Sequence, residues 1–101
     1  MFYVKIHEVS GERLVAACDR DVLGKKFSSG RLQIEVNERF YGGSLAGEDD
    51  VFFALASATI ANLVGNNVVG MAVERSLVSA GNVIEIGGVK HAQIISIPEQ
   101  R

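Results

Sequence analysis

Two histidines, His7 and His91, one cysteine, Cys18, and small groups of carboxylates are the residues of this chain whose types could support acid–base, nucleophilic or metal chemistry. Neither histidine has a second histidine or a cysteine at ligand spacing, such as one helical turn away, so no metal site is assigned. Cys18 falls in an apolar run, where burial raises a thiol's pKa and makes it inert. The acids Glu48-Asp49-Asp50 suit the first turn of a helix and Asp19/Asp21 suit a turn, without any catalytic role. His91 follows Lys90 at a glycine-rich turn, where a general base or an anion contact is conceivable. No catalytic residue and no cofactor are assigned.

Two further segments carry chemistry through their backbone. Gly65-Asn66-Asn67 stands where a helix could begin, and free N–H groups at a helix start attract phosphate or carboxylate. No lysine or arginine follows within that turn, and neither the Walker pattern nor the dinucleotide glycine fingerprint is present. A helix-turn-helix reading of the same corner fails for lack of basic residues, since the second helix offers Asn66, Asn67, Glu74 and a single Arg75. Phe40-Tyr41-Gly42-Gly43 sets two aromatics before two glycines, an apolar surface beside backbone that can approach a partner closely.

The elements that must position these residues follow from hydrophobic spacing. Residues 2–9 alternate, with Phe2, Val4 and Ile6 on one face and Tyr3, Lys5 and His7 on the other. Ser10-Gly11 turns the chain into a second strand over 12–18, giving a hairpin. Residues 19–30 read as irregular, with turns at Gly24 and at Ser28-Ser29-Gly30. Residues 31–36 read as a half-buried strand with Leu32, Ile34 and Val36 inward. A glycine-rich connection, 37–47, leads to a helical pair between Glu48 and Ser79. Its first helix runs to Val64, its corner uses Gly65 as the residue past the helix end and Asn66 as N-cap, and Gly81 stops the second helix. The stretch Thr59–Val64 is short, apolar and partly β-branched, so a buried strand is the alternative there, which periodicity alone does not exclude; the continuous helix is the expected state. Residues 83–97 give a second hairpin through Gly87-Gly88, ended by Pro98. The expected fold is a single α+β domain over residues 1–101, with a mainly antiparallel sheet of about five strands and two helices in the order βββααββ.

Composition narrows the function classes. With 48% hydrophobic residues the chain holds more apolar side chains than one small core needs, so a homodimer is expected. One cysteine cannot form an internal disulfide, and Lys5, His7 and Glu8 interrupt any signal-like apolar start, so a cytoplasmic protein is expected. No apolar run reaches the roughly 20 residues of a membrane span. The net charge of −2 builds in no attraction to nucleic acid, although Lys25, Lys26, Arg31 and Arg39 leave RNA or ribosome association open.

The segments Phe40-Tyr41-Gly42-Gly43, Ala61-Asn62-Leu63-Val64-Gly65 and Gly87-Gly88-Val89-Lys90-His91-Ala92-Gln93, in this order and spacing, resemble a family of small, mostly archaeal proteins known as the domain of unknown function 424. The resemblance covers nearly the whole chain. It implies an archaeal, cytoplasmic source and carries over no activity or catalytic residue. The leading expectation is a non-catalytic protein-interaction module, with the Phe40–Gly43 loop and the 65–67 corner (Gly65, Asn66 and Asn67) as contacts for an unknown protein partner. The alternative is a small enzyme or ligand-binding protein in which Asn62, Lys90 and His91 converge on one pocket.

Overall fold

A computed structural model of the chain describes residues 1–96. It is an α+β fold with two sheets and three helices. Strands β1 (Phe2–Val9) and β2 (Glu12–Asp19) form the expected hairpin, closed by Ser10 and Gly11, both at positive φ. That pair of conformations matches the right-handed twist of the flanking strands. Beyond a short 3-10 turn at Arg20–Val22, β3 (Lys26–Ser29) and β4 (Leu32–Glu35) pair as a separate two-stranded sheet. Helix α1 (Glu38–Tyr41), capped by the Asn37 side chain on the Arg39 and Phe40 N–H groups, leads to β5 (Ser44–Ala46). Then come α2 (Glu48–Ala56), β6 (Ile60–Val64), α3 (Asn66–Glu74), a 3-10 turn at Ala80–Asn82, β7 (Ile84–Ile86) and β8 (Val89–Ile95). The main sheet runs β5-β1-β2-β6-β8-β7.

The expected order βββααββ, and its sheet of about five strands, give way to six strands in the main sheet and two outside it. The largest difference is at residues 60–64, placed above in a continuous helix. They are a central strand, parallel to β2 and antiparallel to β8. One face of β2 and β6 (Val15, Ala17, Ala61, Leu63) packs under α2 and α3, against Val51, Leu55, Val68, Val69 and Ala72. The other face (Ala16, Cys18, Val64) packs against Val22, Val36 and Tyr41. A strand covered on both sides loses its apolar–polar alternation. Ile60–Val64 therefore carries no period-two signal. Thr59 opens the strand: its N–H and hydroxyl both donate to the Arg13 carbonyl, at 2.9 and 3.1 Å, while the Arg13 N–H donates to the hydroxyl at 2.9 Å.

Three smaller differences have similar causes. β3 lies in the segment expected to be irregular, because its sequence Lys-Phe-Ser-Ser holds one apolar residue. Leu32, expected inward, is 51% exposed, since β4 pairs only with β3 and that sheet covers the core by Ile34 and, past the strand end, by Val36. Helix α3 ends before Gly81, in a left-handed residue, Ser76 at φ 63°. The Leu77 N–H reaches the Ala72 carbonyl at 2.8 Å and the Ser76 N–H reaches Val73 at 3.1 Å. These are the paired bonds of a Schellman end, made here without glycine. The second hairpin pairs as expected through Gly87-Gly88, while Ile97 and Pro98 lie outside the described residues.

Candidate functional site

The backbone donors at the start of α3 are occupied from within the molecule. Gly65 is the N-cap and carries no side chain. In place of a cap residue, Asp19 reaches across from the end of β2, accepting from the Asn67 N–H at 2.9 Å and the Val68 N–H at 2.8 Å. These are the second and third helical positions, the donors that an N-cap oxygen normally takes. Asp19 is 5% exposed, and a Cβ at position 65 would overlap its carboxylate. With φ at 130°, Gly65 is required both by its conformation and by that contact. The strand-to-helix corner that could receive an external anion thus holds an internal one.

Asn66 ties this corner to the second hairpin. Its Oδ1 accepts from the Lys90 N–H at 2.9 Å, its Nδ2 donates to the Gly88 carbonyl at 3.4 Å, and the Gly65 N–H donates to the Lys90 carbonyl at 2.9 Å. Gly87 in turn lies against the Ser28 backbone of β3. Two of the three glycine-rich segments therefore meet.

The Phe40–Gly43 segment lies elsewhere, on β1. Tyr41 is buried in the second core, and Phe40 stacks on His7 with centroids 5.0 Å apart. The His7 Nε2 is 2.9 Å from the Phe40 carbonyl, which can only accept, so that nitrogen carries the proton. Gly42 packs on the Glu38 carbonyl and Gly43 on the Val4 carbonyl, with no room for a side chain at either. Burial, with lesser contributions from Asp19 and Asp21, pushes the Cys18 thiol up to about 12. Burial, and then Cys18, pushes the Tyr41 phenol up to about 12 as well. Both groups stay neutral across the physiological range.

The residues grouped as a possible pocket divide between two faces. Asn62 pairs with Gln93 and Val64 pairs with His91, so Asn62 and His91 share the face of the second core. His91 is held there by its Nδ1, 2.9 Å from the Leu63 carbonyl. Lys90 points to the opposite, helical face. Lys25, Lys26, Arg31 and Arg39 are exposed around the small sheet and α1, with Lys26 directly across from Glu35. Among the described residues no group of three or more His, Cys, Asp or Glu could hold a metal ion, and no helix is long and apolar enough to cross a membrane.

Lys90 instead helps to line a groove of about 380 Å³ beside α3. Helix α3 supplies Val69, Gly70, Val73 and Glu74. The Ala80 turn and β7 supply Ala80, Val83, Ile84 and Glu85. The volume falls in the range of sites that hold small ligands or side chains, apolar with a few polar groups. Glu85 and Lys90 face each other across β7 and β8. Glu74 has no ion-pair partner among the described residues and stands on the last turn of α3, where the helix carbonyls add negative potential. Apart from Lys90, none of these residues is among the candidate contacts named above. The available signal was Gly70, a glycine inside a helix whose added Cβ would meet nothing within 4 Å.

The model of a family described as "Protein of unknown function (DUF424)" matches residues 7–97, and the chain belongs to that family. A solved structure, an uncharacterized conserved protein from Methanopyrus kandleri, has the same fold. Its TM-score is 0.75 at 22% identity, over 99% of this chain and 97% of that one. No curated protein matches the chain.

Proposed function

We propose that this chain is a non-catalytic protein-interaction module whose main contact surface is the groove beside α3. The observation that carries this reading is Gly70. A glycine inside a helix costs about 1 kcal/mol relative to alanine, and here nothing in the fold fills the space it leaves. That space opens into an apolar groove rimmed by charge, the anatomy of a contact patch. The groups that could do chemistry elsewhere are engaged in the fold: Cys18 is buried and neutral, Asp19 caps α3, and one ring nitrogen of each histidine is bound to a carbonyl. In this reading Lys90 stands on the groove's rim, Gly65 and Asn66 fix the Lys90 backbone beside it, and Phe40, Tyr41, Gly42 and Gly43 secure the opposite margin of the sheet.

The setting proposed with it is the archaeal cytoplasm, where a single free thiol such as Cys18 stays reduced. A homodimer belongs to the same proposal, supported by exposed apolar side chains away from the groove, among them Phe53 at 67% and Val9 at 59%. The test is co-purification of partners from native lysate with the wild-type chain and with Gly70→Trp. Loss of a reproducible partner, with circular dichroism unchanged, is expected. The same partners recovered by both proteins would overturn the groove as the contact surface.

A further inference from the structure

We infer that the groove takes an extended segment of a partner protein as an added strand on β7, with an aliphatic side chain over Gly70 and a lysine or arginine at Glu74. The inference rests on the interaction reading above and names its mode. The groove lies between a helix and the last strand of the sheet: β7 pairs with β8 on one side and makes no backbone hydrogen bond on the other among the described residues, although β3 and β4 pack near it. A free strand edge offers main-chain hydrogen bonds to an extended chain, whose alternate side chains then enter the adjoining groove.

Charge selects the occupant. Glu74, Glu85 and Lys90 give the groove two carboxylates to one ammonium, none of them in an ion pair among the described residues, and the helix end behind Glu74 adds to the negative excess. A cationic side chain complements that end of the groove. The same charges disfavour a second copy of this chain at the edge. An antiparallel twofold pairing centred on the three-residue strand Ile84–Ile86 would set Glu85 against its own copy, and like charges directly opposite each other destabilise a sheet. The apolar requirement comes from Val73 and Val83, which line the groove together with Gly70.

The experiment titrates the full-length, 15N-labelled chain with two end-blocked hexapeptides, one alternating valine with lysine and the other valine with glutamate. The lysine peptide is expected to shift the amides of residues 69–74 and to slow hydrogen exchange along Ile84–Ile86. The glutamate peptide is expected to bind at least about tenfold more weakly, a difference of about 1.4 kcal/mol. Gly70→Leu should abolish the shifts while leaving the thermal midpoint unchanged or raised. Glu74→Gln, an exposed change that leaves the fold alone, should remove the preference for lysine. Equal binding of both peptides, shifts centred elsewhere, or no shift at millimolar peptide would overturn the inference. If Gly70→Trp removes a partner from lysate but the β7 amides gain no protection, the interaction reading stands and strand addition falls.

Discussion

Replacing Asp19 with alanine should be the most damaging single polar change in this molecule. The carboxylate is 5% exposed and accepts two backbone hydrogen bonds, at 2.9 and 2.8 Å. A hydrogen bond to a charged group contributes about 1.5–3 kcal/mol, and its loss here also strands two N–H groups at a buried helix start. Partial access of water to the vacated space offsets some of this, so we expect a loss of about 3 kcal/mol, against about 1 kcal/mol for an exposed cap. Asp19→Asn keeps the shape and one acceptor but turns an amide N–H toward a donor, and should cost about 2 kcal/mol. Urea unfolding followed by circular dichroism reads both. With a slope of about 1–1.5 kcal/mol per molar urea, the alanine variant's midpoint should fall by about 2–3 M. A loss under about 1 kcal/mol for alanine, or an asparagine variant as stable as wild type, would refute the account of Asp19 as the cap of α3.

Gly65→Ala should cost at least about 2 kcal/mol, because position 65 combines a positive φ with contact to the Asp19 carboxylate; combined with Asp19→Ala, the costs should add to less than their sum. Ser76→Gly should stabilise the fold by about 1 kcal/mol, since a left-handed residue other than glycine is strained at the end of α3; no gain in the urea midpoint would count against the Schellman reading. Cys18 and Tyr41 are both raised to about 12 from ordinary values of 9.0 and 10.0, so the folded state holds protons that the unfolded state releases. Their contribution is intact below pH 9 and is lost between pH 9 and 12, at up to about 1.4 kcal/mol per pH unit for each group. Cys18→Ala should make the fall in stability above pH 9 shallower, and an unchanged slope would contradict the assignment.

The features readable from the sequence were those governed by neighbours along the chain. Both hairpins of the main sheet and the acidic entry of α2 depend on local spacing and turn chemistry. What escaped depends on contacts made by the finished fold. β6 is apolar because both its faces are covered, which removes the alternation that marks a strand. β3 is too polar and too short to announce itself, and its one apolar residue, Phe27, packs against a core assembled from other segments. Of the residues singled out for function, Gly65, Asn66 and Lys90 are joined by hydrogen bonds and only Lys90 lines the groove, while Asn62 and His91 share the other face. The Asp19 cap could not be found from spacing, since it joins positions 48 and 49 residues apart. Gly70 was visible as a glycine in a helix, but its meaning needed the empty space around it.

The parallel pair β2–β6 is clasped at both ends, by Thr59 on Arg13 and by Asp19 on the start of α3. Everything from residue 20 to residue 58 is an excursion that leaves at one clasp and returns at the other. Forming both clasps requires that loop to close, so we expect the search that brings the two strands together to limit the rate of folding. Cutting the backbone in the exposed turn at Gly30 would leave the native contacts in place yet turn that search into an encounter between two molecules. The intact chain should refold at a rate independent of protein concentration, whereas the nicked one should refold in proportion to it.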